Sequence, residues 1–160
     1  MADTLKYVAG SCRQRAAAKQ VTIRVQAPEE LRLDMEAAQI QKALLNLVMN
    51  AIEASPAQGT IVLTAMEAGD HSVRIMVENS GTQIASEVLG RIFEPFFSTK
   101  AERTGLGLAI ARNIVRAHGG DLFLSANEPG RVCFSMALPH PPSGQAEGQH
   151  EEWRTENQRI

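Results

Sequence analysis

The chain has 160 residues, of which 44% are hydrophobic, and a formal net charge of −2. A chain of this size buries one core of ordinary size, so a single folded domain is expected. The near-neutral, interspersed charge gives no support for contact with nucleic acid or an anionic membrane surface, and no apolar run approaches the roughly 20 residues that span a bilayer.

The first 35 residues predict a helix followed by two strands. An alanine-rich segment over residues 4–20 ends in basic residues, which suits a helix C-terminus. Residues 21–26 alternate β-branched and polar side chains and predict a strand. After a turn over residues 27–30, the sequence LRLDM (31–35) predicts a short second strand.

The longest predicted element is an amphipathic helix over residues 35–55, which ends before Pro56 because proline disfavours helix in the residue that precedes it. Asn46 and Asn50 lie one turn apart at the border of its apolar arc, where a carboxamide is poorly hydrated and needs a partner. Such a pair taken alone is more typical of an ordinary helix boundary. Its meaning therefore depends on the rest of the chain.

The second half of the chain alternates strands with a further helix. Two strands over residues 60–67 and 72–79 predict a β-hairpin, and a loop and a short helix around residues 86–91 follow. A helix over residues 106–118 ends at a Gly-Gly pair and leads to the strands DLFLSA and RVCFSMAL. The segment 140–160 has little apolar content, which predicts a largely disordered tail.

Two glycines open the second long helix, in the run Thr104-Gly105-Leu106-Gly107-Leu108. Glycine lets a backbone come close to a ligand, and the free N–H groups of a helix N-terminus attract phosphate. A G-x-G on its own is more often a plain turn. Here Lys100 and Arg103 precede it in a polar, lid-like segment, where their charges suit terminal phosphates.

The two cysteines, Cys12 and Cys133, have no metal-ligand spacing and fall in a predicted helix and a predicted strand. Buried free thiols in a reducing compartment are therefore expected rather than a disulfide. The N-terminus also lacks the apolar region of a signal peptide. Together these features predict a soluble, cytoplasmic chain.

Three segments resemble, in this order and spacing, the N box, F box and G2 box of the ATP-binding catalytic domain of sensor histidine kinases: QIQKALLNLVMNAIEAS, FEPFFSTK and TGLGLAIARNIVRAHGGDL. That domain belongs to the gyrase, Hsp90, histidine kinase and MutL superfamily. The sequences of the three boxes most resemble those of the nitrogen-regulation and oxygen-sensing branch. The resemblance covers roughly residues 21–138. It implies a two-layer α/β sandwich of the Bergerat type, with a mixed five-stranded sheet backed by three helices.

The resemblance also implies a domain organisation. Residues 1–20 resemble the end of a preceding dimerisation region, residues 21–139 the ATP-binding domain, and residues 140–160 form the tail.

By position, the resemblance implies a site for ATP and Mg²⁺. Asn50 resembles the asparagine that coordinates Mg²⁺, whereas Asn46 and Lys100 resemble groups that act on the phosphates during catalysis. The phenylalanines of the F box are Phe93, Phe96 and Phe97. The implied nucleotide-binding set is Asn46, Asn50, Glu53, Asn79, Gly81, Ile84, Phe96, Lys100, Arg103, Thr104, Gly105, Leu106, Gly107 and Leu108.

Two boxes depart from the family pattern, the G1 box at two positions and the G2 box at one. The family's G1 box usually reads D-x-G-x-G, and its aspartate accepts a hydrogen bond from the adenine amino group; this chain has Asn79 there and Gln83 in place of the second glycine. The loss of charge assistance predicts ATP binding that is weaker by several-fold. Arg103 stands where the G2 box usually opens with glycine.

Three functions are consistent with these residues. The first is a kinase domain that binds ATP or ADP and passes the γ-phosphoryl group to a histidine of a separate domain and, through it, to a response regulator. The second is a regulatory module that senses nucleotide without kinase activity, which the two departures favour. The third is a serine kinase of the anti-sigma type. No phosphoacceptor motif of the H-E-x-x-N kind surrounds any of the four histidines, His71, His118, His140 and His150.

Overall fold

The computed structural model describes residues 1–33, 35–69, 71–99 and 104–139. In chain order these residues form α1 (Ala2–Ser11), α2 (Arg13–Ala18), β1 (Thr22–Gln26), α3 (Ala37–Ala54), β2 (Thr60–Ala68), β3 (Ser72–Asn79), a 3₁₀ helix (Ser86–Arg91), α4 (Gly107–Ala117), β4 (Asp121–Glu128) and β5 (Arg131–Pro139). Within these ranges, no helix has the length and apolar character needed to cross a membrane. Lys100, Arg103 and the tail predicted over residues 140–160 lie outside the described residues.

The five strands form one mixed sheet in the order β1-β2-β3-β5-β4. β1 runs parallel to β2, whereas the other three neighbouring pairs are antiparallel. A parallel pair needs a long crossover, and α3 lies in the connection between β1 and β2. The predicted α/β fold with a mixed five-stranded sheet is therefore confirmed, and so is the predicted β2–β3 hairpin.

The core lies between the helices and one face of the sheet. Burial alternates along β2 and β3, which indicates that one face of the sheet is covered. The buried side chains of α3 are the apolar arc that its periodicity predicts: Ile40, Ala43, Leu44, Leu47, Val48, Ala51 and Ile52. Burial of a leucine or isoleucine stabilises the fold by about 1.5–3 kcal/mol. This packing fixes the rotation of α3 and therefore the direction of its polar stripe.

The helix α3 ends at Ala54, close to the predicted end. Ser55 has the extended backbone that a following proline imposes, and its hydroxyl donates a hydrogen bond to the Ala51 carbonyl at 2.8 Å. The chain therefore leaves the helix sharply and turns into β2.

The N-terminal segment differs from its prediction as one helix over residues 4–20. It forms two helices, α1 and α2, with a break at Cys12. Gly10 lowers helix propensity just before the break, by about 1 kcal/mol relative to alanine. Leu5, Val8 and Ala16 enter the same core as the sheet. The predicted domain boundary at residue 20 stays a prediction.

The prediction of a second strand over residues 31–35 is wrong for the described residues of that segment. Leu31 is buried, but its backbone is used outside any strand ladder. Its N–H donates to the Pro28 carbonyl at 3.3 Å, and its own carbonyl accepts from the Met1 amino group at 2.6 Å. The alternation of leucine with arginine therefore reflects one buried leucine in an irregular connection.

A β-bulge interrupts the pairing of β4 with β5. Leu124 lies opposite Phe134, but the next pair is Ala126 with Cys133, so Ser125 is an extra residue in β4. The Ser125 hydroxyl donates to the Cys133 carbonyl at 3.2 Å. Beyond the bulge, Asn127 lies opposite Val132.

Both cysteines are free and buried, as predicted. Burial raises the pKa of the Cys12 thiol, and Arg15 opposes this only in part. The reactive thiolate of Cys12 is therefore disfavoured in the folded domain.

Candidate functional site

A cleft of about 460 Å³ opens between the second half of α3, the end of β3 and the start of α4. One part of its lining is apolar and consists of Ile84, Val88, Ile92, Phe97, Val132 and Phe134. Its polar lining consists of Asn50, Glu53, Asn79, Thr82, Ser98, Thr99 and Thr104. The combination suits a ligand with a flat apolar part and a polar part.

At one end of the cleft, two carboxamides of α3 face the start of α4. A Cβ atom at Gly107 would lie 3.5 Å from Asn46 Oδ1 and 3.8 Å from Asn50 Nδ2. The Asn46 amide nitrogen donates to the Lys42 carbonyl at 3.1 Å. Both asparagines predicted for the site therefore lie beside the first residue of α4.

The first turn of α4 favours an anion at this end of the cleft. Its free N–H groups and the positive end of the helix dipole attract negative charge. Leu106 occupies the N-cap position, and its apolar side chain offers those N–H groups no acceptor. The space beside Gly107 therefore combines backbone donors with the two carboxamides.

The turn before α4 requires glycine at position 105 for two reasons. Gly105 has a φ of +67°, in the left-handed region. A Cβ atom there would also lie 2.5 Å from the carbonyl oxygen of Phe97. The backbone of the F-box segment thus packs directly against the turn that opens α4.

At the end of β3, Asn79 is buried, with 3% of its surface exposed, and it lines the cleft. Its amide nitrogen Nδ2 is buried and has no hydrogen-bond partner among the described residues. A buried donor without an acceptor costs about 1–3 kcal/mol. A ligand that presents an acceptor to Asn79 would remove that cost.

Gly81 allows the close approach that places Asn79. A Cβ atom at position 81 would overlap Asn79 Nδ2 and would lie 2.5 Å from the Ala54 carbonyl oxygen. Real Cβ atoms do not approach neighbours so closely, so a larger residue would force the end of β3 away from the end of α3. Local steric contacts therefore explain why Gly81, the glycine kept from the G1 box, is a glycine.

A side chain that the motifs do not include fixes the loop after β3. Asn127 accepts a hydrogen bond from the Ile84 N–H at 2.8 Å and donates one to the Ile84 carbonyl at 2.9 Å. Gln83 adds a bond from its side-chain amide to the Asn127 carbonyl at 2.9 Å. Ile84 lines the cleft, so Asn127 positions part of the apolar wall.

The aromatic part of the wall is supported from behind. Phe134 makes an edge-to-face contact with Phe93, with ring centroids 6.1 Å apart. The Arg112 guanidinium lies 4.6 Å from the centre of the Phe93 ring and pairs with Asp121 at 3.1 Å. Burial raises the pKa of Asp121, but the hydrogen bonds from Arg112 and Arg116 outweigh it and hold that pKa below its usual value.

The structure brings most of the predicted site residues together. Those that line the cleft are Asn50, Glu53, Asn79, Ile84, Thr104, Gly105, Gly107 and Leu108. Asn46, Gly81 and Leu106 lie immediately beside these residues. Phe96 does not join them: the residue is 78% exposed, and Phe97 lines the cleft instead. Lys100 and Arg103 lie outside the described residues.

Several lining residues had no sequence signal that assigned them to the site. The sequence placed Val132 and Phe134 only in a predicted strand, Val88 in a short predicted helix, and Ile92 just after that helix. Phe97 belongs to the F box, so the motif contained the correct residue beside the one that was selected. Asn127 belongs to no motif.

Known proteins resemble this chain in sequence. Residues 35–142 match the family model described as histidine kinase-, DNA gyrase B-, and HSP90-like ATPase. The sensor histidine kinase ZraS of Salmonella typhi is 38% identical over 138 residues, which make up 86% of this chain and 30% of ZraS. The chain thus spans less than a third of the length of that relative.

Solved structures resemble the chain as well. The nucleotide-free catalytic domain of the histidine kinase ThkA superposes with a TM-score of 0.77 at 34% identity, over 86% of this chain and 90% of that one. Histidine kinase ThkA in complex with the response regulator protein TrrA gives a TM-score of 0.74 at 30% identity, over 89% of this chain and 41% of that one.

Proposed function

Because the chain belongs to the family of histidine kinase-, DNA gyrase B- and HSP90-like ATPases, we propose that it binds Mg-ATP as the catalytic domain of a sensor histidine kinase and transfers the γ-phosphoryl group to a histidine on a separate domain. The observation that carries this proposal is the position of Asn46 and Asn50, which both face Gly107 at the start of α4. Two carboxamides and a helix N-terminus form an arrangement suited to phosphates.

The proposed orientation of ATP follows from the two ends of the cleft. The triphosphate would lie at the first turn of α4, near Asn46 and Asn50. The base would lie between apolar side chains such as Ile84 and Phe134, with its polar edge toward Asn79. Each part of the nucleotide then meets groups of matching chemistry.

The carboxamide oxygens fit a magnesium ion that arrives with a nucleotide. Mg²⁺ prefers oxygen ligands and is usually held by one or two protein groups together with phosphates and waters. Asn50 would hold it, and the ion would supply neutralisation of phosphate charge. Asn46 and the N–H groups of α4 would orient the terminal phosphates.

Catalysis would consist mainly of positioning and charge neutralisation, because phosphoryl transfer through a loose transition state requires little covalent chemistry from the protein. From the sequence we propose that Lys100 neutralises the γ-phosphate and that Arg103 adds a phosphate contact. Glu53 lines the cleft close to Asn50 in sequence and fold, and we propose that it faces the bound nucleotide.

The proposed partners are a histidine phosphoacceptor domain and, through it, a response regulator. The complex of ThkA with TrrA supports the second of these for a protein with 30% identity to this chain. We propose that the domain works in the cytoplasm, where ATP and response regulators occur. ZraS and ThkA are both histidine kinases, which favours this function over the nucleotide-sensing and serine-kinase alternatives.

Labelled phosphate transfer tests the proposal directly. The chain is incubated with γ-labelled ATP, Mg²⁺ and a purified histidine phosphoacceptor domain, and calorimetry measures ATP and ADP binding in parallel. We expect binding together with an acid-labile, alkali-stable phosphoprotein. Binding without transfer to any phosphoacceptor domain supplied would favour the nucleotide-sensing alternative, and an acid-stable, alkali-labile product would favour the serine kinase.

A further inference from the structure

We propose that the cleft accepts nucleotides of 6-oxopurines, guanine and hypoxanthine, as well as those of adenine, because Asn79 presents a carboxamide to the base. This inference rests on the proposed function, since it requires a purine nucleotide in the cleft. It concerns which bases the site selects, and it follows from the surroundings of one side chain.

The first step is that Asn79 lies at the base end of the cleft. Asn79 is paired with Val132 of β5, and Val132 is paired with Asn127 of β4. Asn127 in turn holds Ile84 through two hydrogen bonds. Asn79 thus lies beside Val132, at the part of the cleft where Asn127 holds Ile84, whereas the carboxamides of α3 face Gly107. A purine ring packed on the apolar residues would direct its polar edge toward Asn79.

The second step is the chemistry of that edge. A 6-aminopurine presents an amino donor at C6 beside an acceptor at N1, whereas a 6-oxopurine presents an acceptor at C6 beside an N1–H donor. A carboxamide carries an acceptor and a donor side by side, and a half-turn of its terminal torsion exchanges them. It therefore matches either edge. A carboxylate offers acceptors alone. It accepts from the C6 amino group of adenine, whereas beside a 6-oxopurine it can accept only from N1–H and lies close to O6, which is also an acceptor.

The third step is that no hydrogen bond from the Asn79 amide nitrogen to the described part of the protein fixes the orientation of the amide. Asn79 Nδ2 is buried and has no hydrogen-bond partner among the described residues. A bond from Nδ2 to the protein would favour one orientation and therefore one class of purine. Without it, a half-turn of the amide breaks no hydrogen bond from Nδ2 to the protein, and a base that reaches Nδ2 would satisfy it through N1 of adenine in one orientation and through O6 of a 6-oxopurine in the other. Burial makes the missing bond matter, because water reaches little of this side chain.

Calorimetric titration of the chain with ATP, ITP and GTP in the presence of Mg²⁺ tests the inference. ITP differs from ATP only at the six-position edge, and GTP adds a 2-amino group. We expect the Kd values of ITP and GTP to lie within about tenfold of that of ATP. In Asn79→Asp we expect tighter ATP binding and an ITP-to-ATP ratio of Kd values at least about tenfold larger than in the wild type.

Asn113→Asp serves as a matched control, since Asn113 is exposed on α4 and does not line the cleft; its ratio should equal that of the wild type. Wild-type ATP binding more than about 100-fold tighter than that of either 6-oxopurine would overturn the inference and leave the proposed function standing. An unchanged ratio in folded Asn79→Asp would also overturn it. If no purine nucleotide binds at all, the proposed function falls as well. Should Asn79→Asp not fold, the wild-type ratios still decide.

Discussion

Asn127 in β4 holds Ile84, 43 residues earlier in the chain, by both halves of its carboxamide. The oxygen accepts from the Ile84 N–H at 2.8 Å, and the nitrogen donates to the Ile84 carbonyl at 2.9 Å. This is the pattern by which two strands pair, made here between a side chain and a loop. It ties the loop that follows β3 to the far edge of the sheet.

The first prediction is that Asn127→Asp loosens this loop without a change of side-chain size. The aspartate keeps the acceptor for the Ile84 N–H but places negative charge beside the Ile84 carbonyl. We expect a loss of about 1–3 kcal/mol in the free energy of unfolding. Denaturant unfolding measures this, and calorimetry should show ATP affinity lower by several-fold.

Gln83→Ala is the matched control for that prediction. It removes only the exposed bond from Gln83 to the Asn127 carbonyl and leaves both bonds to Ile84. Its cost should be clearly smaller than that of Asn127→Asp. Equal costs for the two variants would contradict a special role for the Asn127 side chain.

The second prediction concerns the metal. If Asn50 holds Mg²⁺, Asn50→Ala should weaken ATP binding in Mg²⁺ by about tenfold, because one oxygen ligand is lost. ATP binding in the presence of a chelator should change little. Asn113→Ala, on the exposed side of α4, is the control. Equal affinity of the wild type and Asn50→Ala at saturating Mg²⁺ would rule out this role.

The third prediction is that the absence of a side chain at Gly107 matters for ligand binding and not for stability. A methyl group at position 107 meets Asn46 and Asn50 at ordinary contact distances. Gly107→Ala should therefore retain the melting temperature of the wild type, while ATP affinity falls because the methyl group occupies the space proposed for phosphate.

The same substitution at position 81 should behave in the opposite way. A methyl group there would overlap Asn79 and the backbone of Ala54, so Gly81→Ala should lower the melting temperature markedly. Thermal unfolding followed by circular dichroism distinguishes the two variants. A stable Gly81→Ala protein with normal ATP affinity would show that the end of β3 can move freely.

The fourth prediction is a pH dependence set by Asp121. Its pKa is lower in the folded chain than its ordinary value of 3.8, because the hydrogen bonds from Arg112 and Arg116 outweigh the effect of burial. The stabilisation is therefore complete above about pH 4 and is lost as pH falls through the folded pKa. The carboxylate is 46% exposed, so solvent screening keeps the contribution to roughly 0.5–1 kcal/mol.

Asp121→Asn tests that dependence. At about pH 7 the variant should be less stable than the wild type by this amount, and the difference should shrink as the solution is acidified below about pH 4. Urea unfolding at a series of pH values measures the difference. A gap that stays constant down to the acid transition would mean that the charge of Asp121 contributes nothing to stability.

Local patterns in the sequence predicted the elements on which the site depends. The apolar arc of α3 and the proline that follows it determine both the rotation and the end of that helix. The position of Asn46 and Asn50 was therefore foreseeable, and so was the start of α4 at Gly107. The family resemblance is confirmed by the match over residues 35–142.

Long-range contacts account for what the sequence did not predict. Leu31 alternates with charged residues as in a strand, but the amino group of Met1 binds its carbonyl, and no local pattern contains that contact. Phe96 and Phe97 are adjacent and identical in type, and no local pattern shows that Phe96 has a left-handed backbone and is the exposed one of the two. In the sequence, Asn127 is an ordinary residue near the end of a predicted strand. Its role is visible only in the structure, where it forms two hydrogen bonds with Ile84.

The extra residue Ser125 in β4 makes the site sensitive to chain length at a distance from the cleft. Removal of Ser125 would leave Leu124 opposite Phe134, Ala126 opposite Cys133 and Asn127 opposite Val132, so the register would be kept and the ladder would become regular. What would change is the local bend and twist that a bulge gives its strand, and with it the direction from which Asn127 reaches Ile84. A single-codon deletion at Ser125 would thus leave the architecture intact and disturb one support of the cleft, and it would also remove the hydroxyl that accepts a hydrogen bond from the buried Ser135 hydroxyl at 2.6 Å.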